Sequence, residues 1–410
     1  MAYFSDAPLP SPARPVVVTG AGIITSMGRD LAENTTGFRA GRTAFSPVTL
    51  FDVSRQRVGT AGQVNLPDEP GKAWSRMDRG TRLALQAARE AMANAGLSGG
   101  ELPMIVGTSA AAMPIGEEYF KQAHATSANR GRQLRRVELY QAQRQLTDMA
   151  RELGVNGPIR IVSNACASGA NAIGQAFHLV RSGRAERVLA GGYDALCQLV
   201  FSGFDALQAL CPSGLPRPFD AARDGLALGE GAGFVIVESA AAAKARGARV
   251  IAEILGYGAA TDIHHLTQPN PLGDAALETM QAACAMAGLA PEQINYINSH
   301  GTGTPLNDIA EGNAIQRWAG DAVVKIKVSS TKSAIGHLLG GAGAVESVIC
   351  LIALEGQWLP ASLNVRDADE VCTFDLVRTP RETSVTRVLT NSFGFGGANA
   401  TLIFGKEGLS

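Results

Sequence analysis

The chain has 410 residues, 46% hydrophobic and 18% charged, with a net charge of −1. That length can bury one large core or two fused domains. The balanced charge gives no global attraction to nucleic acid or to an anionic membrane. The start, "MAYFSDAPLPSPARP", holds an acid and several prolines and no apolar run, so it does not read as a signal peptide. No apolar run approaches the ~20 residues that span a bilayer, and a soluble, cytoplasmic enzyme is expected. None of the six cysteines forms a C-x-x-C pair or has metal-ligand spacing with a histidine. Free thiols are therefore expected, and all but Cys166 are read as small buried apolar residues.

In chain order, "PVVVTGAG" is predicted as a buried strand and turn, and "TRLALQAAREAMANAGL" as an amphipathic helix with a glycine stop. "MIVGTS" is a further strand. Residues 111–160 stand apart as a polar, basic helical stretch with Arg130, Arg132, Arg135 and Arg136. That stretch is either a solvated insertion or a docking face for an acidic partner. "IRIVSNA" is a strand running into the helix after Cys166, and "RVLAGGYDA" and "GAGFVIVES" are strands. The pattern then recurs. "VIAEILGYGAA" is a strand, "DAALETMQAACAMAGL" a helix, "INYINSH" a strand and "GAVESVICLIALEGQ" a helix. "RVLTNSFGFGGANATLIFG" is a Gly-rich turn into a final strand. The alternation predicts an α/β architecture of two similar halves, residues 1–250 and 251–410, without a Pro/Ser-rich linker.

Two glycine motifs invite a nucleotide reading. "GAGIIT", Gly20 to Thr25, lacks the third glycine of G-x-G-x-x-G, and "GEGAG", Gly229 to Gly233, lacks the following Lys-Ser/Thr of a P-loop. Both read as close backbone packing, the first as a tight strand-to-turn.

Cys166 sits where a strand ends and a helix begins, among Ala165, Ala167, Ser168 and Gly169. The helix N-terminus offers free N–H groups and a positive dipole end, which favour thiolate over thiol and could hold an oxyanion. A packed structural thiol is the competing reading. His300 in "NSHGTGTPLND" and His337 in "KSAIGHLLGGAGAVE" each lie at a strand end or turn among small residues. Two histidines and a cysteine in matching contexts favour chemistry over packing. His124 and His178 lie on helical stretches and read as structural.

Five ordered motifs, "ACASGA", "RPFDAARDGLALGEGAG", "NSHGTGTPLND", "KSAIGHLLGGAGAVES" and "NSFGFGGAN", resemble the decarboxylating β-ketoacyl-[acyl-carrier-protein] synthases of type II fatty acid and polyketide synthesis. The likeness runs from about residue 15 to about 405. It implies a thiolase-like fold with two similar halves in a five-layer αβαβα arrangement. The half at 1–250 then holds the nucleophile and the helical insertion at 111–160, and the half at 251–410 holds both histidines.

The resemblance also implies roles. Cys166 carries the acyl chain, and neutral His300 and His337 hold the enolate formed by malonyl decarboxylation. Lys332 and Glu346 flank and orient His337. The backbone N–H of Phe395, with that of Cys166, forms the oxyanion site, and Phe395 gates the acyl pocket with Phe393. Thr302 and Thr304 bind the phosphopantetheine arm, with His265 and Thr267 near the same channel. Ala110 sets pocket depth, and Val200 and Phe201 line the tunnel. Asp308 and Glu311 read as structural. No cofactor is expected beyond the phosphopantetheine of the acyl carrier protein, and no metal. The partners are that carrier protein and a second subunit, in a homodimer or a heterodimer with a chain-length-factor-like chain. Neither nucleic acid nor membrane is a partner.

Initiating ketosynthases have a Cys-His-Asn set, thiolases a second cysteine and chain-length factors no nucleophile. Cys166, His300 and His337 together point to an active elongating enzyme rather than an inactive partner. Residues 111–160 depart from the family pattern, which leaves housekeeping fatty acid elongation and specialised polyketide or polyene synthesis both open. A docking role for Arg76, Arg79, Arg82 and the arginines at 130–136 is expected.

Overall fold

A computed structural model describes residues 14–71, 73–125 and 133–406. Eleven strands form one sheet: β1 Val16–Thr25, β2 Met104–Gly107, β3 Ile159–Val162, β4 Arg187–Asp194, β5 Gly231–Ser239, β6 Ala252–Thr261, β7 Tyr296–Asn298, β8 Lys327–Ser329, β9 Asp375–Leu376, β10 Arg387–Phe393 and β11 Ala398–Gly405. Their order is β9-β8-β7-β10-β11-β6-β1-β5-β4-β2-β3. From β1 outward the first five strands run β1-β5-β4-β2-β3. From β6 outward the others run β6-β11-β10-β7-β8, with β9 added at the edge. Both series begin with antiparallel pairs and end with parallel ones.

Among the described residues the two series pair through Val17↔Glu253 and Val18↔Ala252. Two helices fill the space between them. Helix α5, Ser168–Arg181, packs on β2, β4 and β5 and also reaches β6 and β11; helix α9, Ala342–Gly356, packs on β10 and also on β5 and β4. Small residues let them meet. A Cβ on Gly169 would lie 2.8 Å from the Ala344 nitrogen, and one on Gly343 2.8 Å from Ala170 Cβ. Helix α1, Arg79–Asn94, covers β1 and β5 on one outside face; α7, Asp274–Ala287, covers β6 and β11 on the other, backed by α8, Pro305–Ala319. This is the αβαβα order that the resemblance implies.

Three expectations are corrected here. "GAGIIT" is not a turn but the second half of β1. Its glycines admit α1, since a Cβ on Gly20 or Gly22 would stand 2.1 Å from a carbonyl of that helix, Ala91 or Ala87. An apolar stretch near bilayer length does exist: the helical run Leu339–Gly356 is 18 residues long and apolar enough by composition to cross a membrane, but 89% of it is buried. It is the core helix α9. The polar stretch after residue 111 is also only partly an insertion. Helices α2, Met113–Ala125, and α3, Leu134–Tyr140, form a hairpin, but α4, Ala142–Glu152, packs on α1 and β3 with Leu146 and Met149 buried.

The arginine expectation changes too. Arg130 and Arg132 lie outside the described residues. Arg79 is bound to Glu230 and the Val64 carbonyl. Arg82 is bound to the carbonyls of Trp74 and Met77, with its guanidinium 5.4 Å from the Trp74 ring centre. Both therefore hold the fold rather than face a partner. Arg136 is paired with Gln122 and Gln133, while Arg76 and Arg135 are exposed.

Candidate active site

Strand β3 delivers the chain to Asn164, and Ala165 turns it with a φ of 47°. A non-glycine residue holds such a φ only where its neighbours fix it. Here the Ala165 carbonyl accepts from Ser109 Oγ at 2.8 Å and from Ser168 Oγ at 2.6 Å, and Ser168 Oγ accepts from the Asn164 N–H at 2.8 Å. Cys166 follows the turn, immediately before the first residues of α5. Its side chain opens on a cavity of about 480 Å³.

The expected thiolate is not the resting state. Burial pushes the Cys166 thiol up to about 12; the Lys332 charge and the Phe395 N–H pull it down, but burial prevails. Removal of the thiolate from water opposes the dipole at the helix end.

His300 and His337 line the same cavity, their rings nearly perpendicular at 84° with centres 5.3 Å apart. His300 is carried on the loop between β7 and α8. Its N–H and that of Gly301 donate to the two oxygens of Glu311 at 2.8 and 2.7 Å. Asn391 Nδ2 donates to the same carboxylate, which burial pushes up to about 7. His337 is fixed by its backbone, donating to the Ala227 carbonyl at 2.7 Å and accepting from the Gly229 N–H at 3.0 Å. Burial, then the Lys332 charge, holds both imidazoles well below their ordinary range, and each also has an unpaired Nδ1. Both rings are neutral at neutral pH.

Lys332 and Glu346 form a buried ion pair. Burial pushes Glu346 up to about 7 against the pull of Lys332. Among the described hydrogen bonds none joins this pair to His337. The Lys332 charge acts on both imidazoles.

Phe393, Phe395, Thr302, Thr304, His265 and Thr267 all line the cavity. The hydroxyls of Thr302 and Thr304 are 2.9 Å apart. Phe393 leans on His300 with ring centres 5.6 Å apart. Phe395 is 41% exposed, in a turn whose next two residues, Gly396 and Gly397, have φ of 77° and 78°. Ala110, Val200 and Phe201 do not line the cavity. Ala110 is tied to Asp194, and Phe201 is fully buried against Phe51 in an apolar cluster that backs the cavity through Phe204 and Leu226.

Two contributors escaped the sequence reading. Asp194 accepts from the N–H groups of Ser109, Ala110, Ala111 and Gly340 and from Thr108 Oγ1, tying the loop after β2, whose Ser109 holds the Ala165 carbonyl, to the turn after His337; burial raises it to about 6. Phe204, three residues beyond Phe201, lines the cavity instead of it. Only the spacing along one helix face could have suggested it.

Two family patterns match the chain: "Beta-ketoacyl synthase, N-terminal domain" over residues 13–243 and "Beta-ketoacyl synthase, C-terminal domain" over residues 251–366. The 3-oxoacyl-[acyl-carrier-protein] synthase 2 of Staphylococcus aureus (strain COL) is 36% identical over 411 residues, covering 95% of this chain and 98% of that relative. That of Synechocystis is 37% identical over 412 residues with the same coverage. Among solved structures, the ishigamide ketosynthase/chain length factor is similar with a TM-score of 0.90 and 36% identity, over 97% of this chain and 100% of that one. AntDE:AntF, a type II PKS acyl-carrier protein in complex with its ketosynthase, gives a TM-score of 0.86 and 28% identity over 96% and 99%.

Proposed function

The chain belongs to the β-ketoacyl synthase family, and we infer that it is an elongating 3-oxoacyl-[acyl-carrier-protein] synthase, an acyltransferase that performs a decarboxylative Claisen condensation. One observation carries the reading: Cys166 at the head of α5 shares a cavity with two neutral imidazoles 5.3 Å apart.

In this mechanism Cys166 Sγ attacks the carrier-bound acyl thioester, its proton leaves with the carrier thiol, and the chain is held as a new thioester. The tetrahedral oxyanion rests on the N–H groups of Cys166 and Phe395. Malonyl-carrier protein then enters along Thr302 and Thr304, whose hydroxyls suit an amide-bearing arm, with His265 and Thr267 further out. Loss of carbon dioxide leaves an enolate whose oxygen accepts from the His300 and His337 N–H groups. Its carbon attacks the acyl-Cys166 carbonyl, and Cys166 leaves as thiolate. Neutral imidazoles suit this step, because they can donate without first losing a proton to the enolate. The Lys332 charge supports both that neutrality and the departing thiolate. The chemistry uses no cofactor beyond the arm of the carrier.

The partners in this reading are an acyl carrier protein and a second ketosynthase-like subunit, either another copy or a chain-length factor. Support for the second subunit is the apolar hairpin face, where Phe120 is 62% and Leu134 77% exposed. Specialised type II polyketide or polyene synthesis is supported by the fold likeness to the type II PKS ketosynthase in AntDE:AntF. Housekeeping fatty acid elongation is the alternative, supported by the 36% identity to the Staphylococcus aureus synthase 2. We place the enzyme in the cytoplasm, where six free thiols persist.

The test is to supply acyl- and malonyl-carrier proteins to the wild type and to Cys166→Ala. The wild type forms 3-oxoacyl product. The variant forms none yet still releases carbon dioxide from malonyl-carrier protein, because the imidazoles remain. Condensation by the variant contradicts the assignment.

A further inference from the structure

Helix α6, Gln198–Ala206, carries Phe204, whose ring stacks on Phe395 with centres 5.7 Å apart and planes at 18°. Both rings line the Cys166 cavity. The first N–H groups of α6 have no partner within the helix, and the side chain of Cys197 does not cap them. They are satisfied from the hairpin: Glu117 on α2 accepts from the Gln198 N–H at 3.3 Å and the Leu199 N–H at 2.5 Å. Glu117 does not line the Cys166 cavity. It lines a second, apolar cavity of about 560 Å³ with Phe120, Val137, Tyr140 and Leu199. A single carboxylate thus ties the hairpin to a rigid helix about 13 Å long, whose far end holds an aromatic ring against the residue beside the nucleophile.

The two ends of the Phe204–Phe395 contact differ in stiffness. Phe204 sits on a helix held further by Gln56 to Ser202 and Arg57 to Asp205. Phe395 sits on a turn with two left-handed glycines. The turn's backbone is itself bonded, Gly396 N–H to the Leu266 carbonyl at 2.7 Å and Asp262 N–H to the Gly397 carbonyl at 2.8 Å, so what the helix positions is the Phe395 ring, 41% exposed and stacked on Phe204. We propose that Glu117 is a positioning residue for the chemistry at Cys166: by capping α6 it places Phe204, and Phe204 holds Phe395 over the cavity and keeps water from the acyl thioester. This deepens the function proposed above and rests on it.

The test uses the full chain with its partner subunit, Cys166 loaded from an octanoyl carrier protein, and malonyl-carrier protein as the second substrate. The readout is the ratio of free octanoic acid to 3-oxoacyl product. Glu117→Ala and Phe204→Ala each raise that ratio about fivefold, the scale of one lost helix cap. The double variant goes no further than either single one, and Glu117→Gln, which keeps an acceptor oxygen, stays near wild type. An unchanged ratio in Glu117→Ala beside a lowered melting temperature makes Glu117 a fold residue only and overturns the proposal. So do additive effects in the double variant. Phe204→Leu removes the ring but keeps apolar contact, and answers in the same two ways if Glu117→Ala does not fold. A wild type that never acylates overturns the functional reading itself; acylation with an unmoved ratio overturns this proposal alone.

Discussion

At the scale of single residues, Cys166 shows two opposing forces. The head of α5 favours a negative sulfur, while burial disfavours it, and burial wins in the substrate-free enzyme, pushing the thiol up to about 12. The thiolate fraction then rises tenfold per pH unit across the whole range below that value. Alkylation of Cys166 by iodoacetamide should climb from pH 7 to pH 9 without levelling, on the order of a hundredfold. A plateau below pH 8 would show that the helix end prevails. The Lys332–Glu346 pair gives a second prediction. Lys332→Ala leaves Glu346 buried without its cation and should cost about 3–5 kcal/mol in denaturant unfolding, and adding Glu346→Gln should recover part of the loss. A change below about 1 kcal/mol would mean that the pair is exposed to solvent. Cys166, His300 and His337 were legible because small residues cleared space around each, whereas Lys332 and Glu346 were legible only through the family resemblance. Asp194 was not, because its five partners come from residues 108–111 and 340, which no local pattern connects.

At the scale of elements, hydrophobic alternation placed the strands well, and the errors have physical causes. "GAGIIT" looked like a turn because glycine serves both turns and close contacts, and only the position of α1 shows which is meant. Gly22→Ala should therefore cost about 1–3 kcal/mol by overpacking, read as a lowered denaturation midpoint; no change would mean that α1 sits further from β1. Helix α4 looked solvated because its letters are polar. Buried Gln145 nevertheless accepts from the Asp78 N–H and donates to the Leu139 carbonyl, so a polar residue occupies a core position at little penalty. Helix α9 shows the reverse: it is apolar on every side because sheet and helix surround it, not lipid.

For the whole molecule, the strand order repeats around the β1–β6 junction, and Cys166 from one series meets His300 and His337 from the other at the midline. The hairpin α2–α3 leaves Leu134 and Val137 exposed at 77% and 43%, more than an isolated chain favours. Leu134→Glu combined with Val137→Glu should shift the protein to a single-chain mass in sedimentation; an unchanged mass would place the subunit contact elsewhere. The central claim is that Cys166 carries the growing chain as a thioester. Intact-mass and peptide mass spectrometry after incubation with acyl-carrier proteins tests it most directly. The account predicts one acyl group on the peptide containing Cys166, removed by hydroxylamine and absent in Cys166→Ala. Acylation at another residue, or none while 3-oxoacyl product accumulates, would contradict it.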